Sequence, residues 1–310
     1  MRQSAQFQQR SSGVLGRAFF AAIIVVSTIV LGAARVDGQA DAACHQKEIV
    51  SEPPARSAWS GEAGFNFVTA YFADGFLAEN QGVIAQPYFD LYYTLHEGDG
   101  FISRVTIGSQ VWSSIHSEKT DAQPDTAVPQ WYEVDYFLPL AVTFAKRATL
   151  TLSYFEYQFP NGAFAASRGI ETNFAYDDVD VLGAFALHPH ATIRYTFAGV
   201  MRFGRTGGWY AEFGIAPGFS IAPKSKYELA ITFPITVGVG DDHFYPGDAY
   251  GFFSATINGS VPLAFLPKSF GAWTLNAGFT YYNLGAATAA INSNGDHNAY
   301  VGQAGIEFTF

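Results

Sequence analysis

The sequence predicts an all-β fold: one antiparallel transmembrane β-barrel of about twelve strands, preceded by a cleavable signal peptide. Three observations carry this expectation. Glycine (31 of 310 residues) and aromatics (16%) are abundant while charged residues fall to 14%, a mixture that suits a barrel with an apolar outside and a polar inside. From Gly64 onward a period of two recurs, broken by clusters of Gly, Asp, Asn and Pro, and no helical period lasts beyond two turns. Connections between the alternating segments are long on one side and mostly short on the other, as barrel loops and turns are.

Residues 1–40 read as an address rather than as structure. Arg2, Arg10 and Arg17 precede an apolar run over 18–34, and Gly38 and Ala40 supply a small-residue exit near which cleavage is expected. Residues 41–63 then form a periplasmic lead-in that holds Pro53, Pro54 and the lone Cys44, read as a thiol in a leader rather than a lipid-bearing cysteine. The barrel is expected over 64–310.

Its strands are expected at 64–75, 82–96, 100–115, 130–145, 147–158, 168–177, 189–201, 207–219, 226–240, 249–264, 269–284 and 299–310. The alternation is cleanest in the second, where Phe89, Leu91, Tyr93 and Leu95 share one face and Gln86, Tyr88, Asp90, Tyr92 and Thr94 the other. Trp209, Tyr227, Trp273, Tyr300 and Phe310 fall on the apolar face near segment ends, where interfacial aromatics belong. The connection 178–188 is long on the short side, with a helical turn expected in its VDVLGAFAL stretch. Whether the lumen conducts turns on how the long loops fold, 285–298 among them.

Composition and motifs narrow the chemistry. A single cysteine excludes a disulfide framework and a cysteine-based zinc site, and a net charge of −10 is wrong for nucleic acid. Of the candidate histidines His116, His188, His190, His243 and His297, the last two follow aspartates in expected outer loops and read as solvated loop residues. His188 and His190, flanking Pro189, read as membrane-interface residues, one pair being too few ligands for a metal. The acidic run Asp177, Asp178, Asp180 reads as a turn, since it lacks the glycine and terminal glutamate of a calcium loop. No catalytic residue, metal or cofactor is expected. What remains is the lumen: parity places Asp90, Glu133, Asp135, Glu171, Glu212, Glu228 and Glu307 inside, against Arg104 and Arg194.

The segment GIEFTF, with Phe308 and Phe310, resembles the C-terminal signature of Gram-negative outer-membrane β-barrel proteins. That resemblance implies a bacterial outer-membrane location, lipid as surroundings, and recognition of the last strand by the barrel-assembly machinery. Within that class the stretch 70–95 is similar to a group of secreted barrels of unassigned function, which carry Tyr-x-x-Arg-Gly and then Gln-Pro. Tyr71, Gly75, Gln86 and Pro87 match, while Asp74 stands where those proteins have arginine. The functional expectation is a narrow, porin-like channel for small polar or cationic solutes. The alternatives are a non-conducting structural or adhesive barrel and, behind it, an outer-membrane hydrolase.

Overall fold

The computed structural model describes residues 57–199, 207–267, 271–291 and 295–310. The signal peptide, Cys44, and the segments 200–206 and 268–270 lie outside the described residues. Strands are β1 (Trp59–Val68), β2 (Tyr71–Ala73), β3 (Phe76–Glu79), β4 (Ile84–Glu97), β5 (Ile102–His116), β6 (Trp131–Phe144), β7 (Ala148–Gln158) and β8 (Ser167–Tyr176). They continue as β9 (His190–Ala198), β10 (Gly208–Ile215), β11 (Gly218–Ile221), β12 (Leu229–Thr232), β13 (Ile235–Gly240), β14 (Tyr250–Pro262), β15 (Ala272–Leu284) and β16 (Asn298–Thr309).

Fourteen of these make one antiparallel sheet, and β1 closes it by pairing with β4 on one side and β16 on the other. Two barrel strands are each written as a pair of segments, because prolines interrupt them side by side. Pro217 separates β10 from β11 and Pro234 separates β12 from β13, and neither has an N–H to give the ladder. Counting each pair once gives a closed barrel of twelve strands, as the sequence predicts. Twelve strands ~4.8 Å apart and tilted by ~40° enclose a cylinder roughly 24 Å across between backbones.

Period two sorts the side chains. On β9, Thr192, Arg194 and Thr196 are buried in the lumen while Ile193, Tyr195 and Phe197 are exposed outside. On β6 and β7, Leu138, Leu140, Leu150 and Leu152 likewise face out, opposite buried Thr151 and Ser153. Water would penalise so many exposed large apolar groups, and their ordered array is the outer belt of a membrane-spanning barrel. Among the described residues no helix is long and apolar enough to cross a membrane; the strands supply the crossing.

Three features differ from the expectation, and the long connection 178–188 follows it. β1 begins at Trp59, so the barrel starts before Gly64. It also ends at Val68, and the chain then turns inward as a separate two-stranded hairpin, β2–β3, where a continuous strand to 75 and a simple loop were expected. Its reversal uses Asp74 (φ 51°) and Gly75 (φ 79°), the Asp-Gly pair that a tight two-residue hairpin favours. Glu228 precedes β12, in a turn where its carboxylate accepts from the Lys224 N–H at 3.3 Å, so it leaves the barrel wall. The long connection 178–188 is a real excursion with a helical turn (Val179–Leu182) and a 3-10 turn (Gly183–Phe185), and it hides no further strand.

Candidate functional site

The β2–β3 hairpin lies in the lumen. It leaves from β1, and its tip meets β9, six strands away around a ring of twelve and therefore on the opposite wall. Arg194, 5% exposed, holds the tip: its Nη1 donates to both carboxylate oxygens of Asp74 at 2.9 and 3.1 Å. The same guanidinium donates to Glu171 through Nε at 2.9 Å and Nη2 at 2.8 Å. The rings of Phe155, Tyr157 and Tyr210 surround it at 5.3–5.6 Å, a cation–π cage that adds to the ion pairs. Tyr210 in turn donates to Glu212. A buried arginine is stable only when its donors are used, and here two carboxylates from different elements take them.

Further bonds fix the rest of the hairpin. The Tyr245 hydroxyl donates to the Asp74 carbonyl at 2.8 Å, and the Tyr71 hydroxyl donates to Glu133 at 2.8 Å. Phe72 stacks on Tyr282 at 5.0 Å, and Phe76 lies 5.4 Å from Tyr245. Gly75 approaches Phe252 so closely that a Cβ there would fall 2.7 Å from the ring. From β3, Glu79 accepts from Thr120, whose hydroxyl contacts His116 Nδ1 at 2.8 Å, and His116 Nε2 meets Ser114 Oγ at 2.9 Å. Ser114 is fully buried, so this chain of groups ties hairpin to wall instead of offering a serine to solvent. Of the loop 285–298, whose residues 292–294 lie outside the described residues, the first turn bends inward, burying Ala287, Thr288 and Ala289. Together these groups fill the end of the lumen that carries the long loops.

Beyond the hairpin the wall is polar. Asp90 accepts from Gln110 at 2.8 Å and from Tyr92 at 3.1 Å. Glu62 and Glu307 sit near Tyr88, which hydrogen-bonds Glu62. Thr256 with Thr280 and Gln303 with Asn258 continue the lining across β14, β15 and β16.

The residues that parity placed inside therefore divide into groups. Arg194, Glu171 and Glu212 meet at the hairpin tip, Glu133 holds its first strand, and Asp135 lines the wall beside them. Asp90 and Glu307 belong to the polar stretch of wall beyond the hairpin. Arg104 keeps its inward parity but lies exposed at the strand end, hydrogen-bonded to Thr94 at 3.3 Å. Sequence reasoning missed Asp74 as a partner of Arg194; the readable signal was the Asp-Gly turn inside an apolar stretch. Phe308 and Phe310 lie at the seam of the barrel, with Phe308 4.9 Å from Trp273 and 5.5 Å from Phe310. His243 and Asp241 build a loop: Asp241 accepts from the N–H groups of His243 and Phe244, and the His243 ring contacts the Gly207 carbonyl.

A closed antiparallel wall, apolar outside and polar inside, defines a transmembrane β-barrel. The chain resembles outer-membrane β-barrels of known structure. It aligns with the porin NanC (TM-score 0.39, 9% identity, 82% of this chain and all of that one). It also aligns with the COG4313 outer-membrane channel of Pseudomonas putida F1 (0.42, 12%, 85% of this chain and all of that one). A third is the β-domain of the Bordetella autotransporter BrkA (0.42, 10%, 82% and all). Likenesses of this degree transfer no residue role and no solute. No protein-family model and no curated protein matches the sequence.

Proposed function

We propose that the protein is a narrow, gated channel of a bacterial outer membrane for small polar or cationic solutes, held shut at rest by the β2–β3 hairpin. One observation carries the reading: the obstruction is a discrete hairpin outside the barrel sheet, fastened to the far wall by the Arg194–Asp74 ion pair. An insert held by polar contacts has two states to choose between, docked and released, whereas side chains growing from the wall have one. Twelve strands also stand between small barrels filled by side chains and the sixteen-strand class with open water. The lining selects the solute class, since carboxylates outnumber cations along it. We also read Phe308 and Phe310 as the segment that the barrel-assembly machinery engages.

The buried aromatic cluster around Phe72, Phe76, Tyr245 and Phe252 favours a second reading, a permanently closed barrel with a structural or adhesive role. Bilayer recording on purified protein separates the two. The gated channel should show rare openings in wild type, and a variant with residues 71–79 replaced by a short Gly-Ser link should conduct steadily. Silence from the hairpin-deleted barrel, with its folded state verified by heat-modifiable mobility, would leave the closed-barrel reading.

A further inference from the structure

The connection between β8 and β9 exposes an unusual amount of apolar side chain for a turn. Phe185 is 83% exposed and Val181 64%, and Val179, Leu182 and Leu187 are exposed with them. The loop is nevertheless held firmly. Both carboxylate oxygens of Asp178 accept from the Leu187 N–H at 3.1 and 3.0 Å, and one also accepts from the His188 N–H at 3.0 Å, which closes the loop at its base. Asp177 accepts from the Val179 N–H at 3.0 Å and lies 3.8 Å from the His188 ring. Asp180 pairs with Arg147, on the neighbouring β6–β7 turn, at 2.7 Å. The Leu187 carbonyl takes the Ala216 N–H at 2.7 Å, tying the loop to the end of β10.

Asp177 and Asp178 are thus engaged within the loop, Asp180 stays exposed at its edge and paired with Arg147, and the rest of the outward surface is mostly hydrocarbon. A rigid exposed apolar surface needs a cover. Continuity says which: outward Phe174 on β8, Ile193 on β9 and Phe213 on β10 belong to the lipid-facing belt, and the loop joins or bonds to the ends of these same strands. We propose that residues 179–187 form a membrane foot, lying in the lipid headgroup boundary at the barrel end that carries the short turns, with Phe185 and Val181 as its anchors. Short apolar segments rich in Phe and Leu are stable at that depth because their side chains reach acyl chains while their backbone stays near water.

The test is site-directed spin labelling in reconstituted vesicles of phosphatidylethanolamine and phosphatidylglycerol. In a Cys44→Ser background, which removes the one native cysteine, Phe185→Cys carries the label. References are Leu152→Cys on the outward belt and Asp99→Cys in the exposed β4–β5 turn. The foot predicts that the label at 185 meets dissolved oxygen and is shielded from a water-soluble nickel chelate, like the label at 152. Nickel access equal to that at 99 overturns the proposal. So does shielding from both reagents, which would mean a protein cover such as a second copy of this chain. Val181→Cys repeats the measurement if the first variant lowers the folded yield.

Discussion

Arg194 and Asp74 meet at 2.9 Å across the full width of the barrel, one fixed on β9 and the other at the tip of a hairpin that springs from the opposite wall. In the proposed channel the pair holds the hairpin docked, because both partners are poor alone. Removing Asp74 leaves Arg194 with Glu171 as its one ion-pair partner among the described residues; removing Arg194 leaves Asp74, Glu171 and Glu212 facing one another. Breaking a buried pair from one side costs on the order of 3–5 kcal/mol. Spent on the docked state of the hairpin, that would change its release equilibrium by about a hundredfold or more. Arg194→Gln should therefore raise channel opening frequency and expose the hairpin to proteolysis, with the barrel still heat-modifiable. An opening frequency unchanged from wild type would contradict the latch.

Gly75 tests the same hairpin by shape. It holds φ 79°, which an L-residue adopts with strain, and its missing Cβ is where the Phe252 ring lies. Gly75→Val should weaken docking by about 1–3 kcal/mol through strain and overpacking together. Gly247, also at φ 79° but with open space around it, is the control: its substitution strains a turn and crowds nothing. Hydrogen exchange at β2 and β3 should rise in the first variant and stay at the wild-type level in the second.

The twelve-strand barrel was legible because period two is enforced by two different solvents. Lipid outside and a polar lumen inside select opposite side chains at successive positions, as Ile193, Arg194 and Tyr195 show. The hairpin escaped the same reading for the reason that neither of its faces meets lipid. Tyr71, Phe72 and Phe76 are all buried against the lumen wall, so the stretch continues the apolar tone of β1 without marking a departure from the sheet. Only Asp74-Gly75 announced a reversal. Glu228 has the parity of a wall residue, and parity says nothing of where a strand begins. Asp178 looked like one of several solvated turn acids, and backbone N–H groups nine and ten residues ahead cannot be read from composition.

The seam gives a prediction about closure. Gly61 and Phe310 exchange two backbone hydrogen bonds at 3.0 Å, and the Phe310 ring occupies the space a Cβ on residue 61 would need, 2.4 Å from it. Deleting Phe310 removes two bonds worth about 1 kcal/mol each and leaves the edge of β1 uncovered. Its folded yield, read as heat-modifiable mobility, should fall well below that of Phe174→Ala, which trims an outward ring on β8, away from the seam. Gly61→Val should reproduce the loss by displacing the ring from the other side.

Asp178 sets a pH dependence for the loop at the short-turn end. Burial raises its pKa, but the N–H groups of His188 and Leu187 outweigh that and hold the carboxyl below the usual aspartate range. A depressed folded-state value stabilises the loop above the unfolded value, near 4, and the contribution disappears as pH falls through the folded one. Amide exchange at Leu187 and His188 should stay protected through the pH range where ordinary carboxylates titrate and be lost only below it. Asp178→Asn should lose that protection at neutral pH, by about 1–3 kcal/mol, because an amide accepts more weakly than a carboxylate. Protection in the variant equal to wild type would refute the assignment.

Selectivity is the last consequence, and it follows from where the lumen's charges are spent. Arg194 is absorbed by Asp74 and Glu171, and Arg104 stands at the exposed rim beside Thr94. Glu62, Asp90 and Glu307 line the stretch beyond the hairpin, where no arginine or lysine is found among the described buried residues. Carboxylates behind low-dielectric walls focus their field into the passage and concentrate cations there. Once the hairpin is released, the open state should favour potassium over chloride in a reversal-potential measurement across a salt gradient. The preference should shrink as salt approaches about 1 M, where the Debye length falls to ~3 Å. Because Glu133 is bound to Tyr71 in the docked state, neutralising it should act on opening as well as on selectivity. The cleaner pair is Asp90→Asn with Glu307→Gln, which should lower cation preference and leave opening frequency alone. An anion-selective open state would show that these carboxylates do not face the path of the ions.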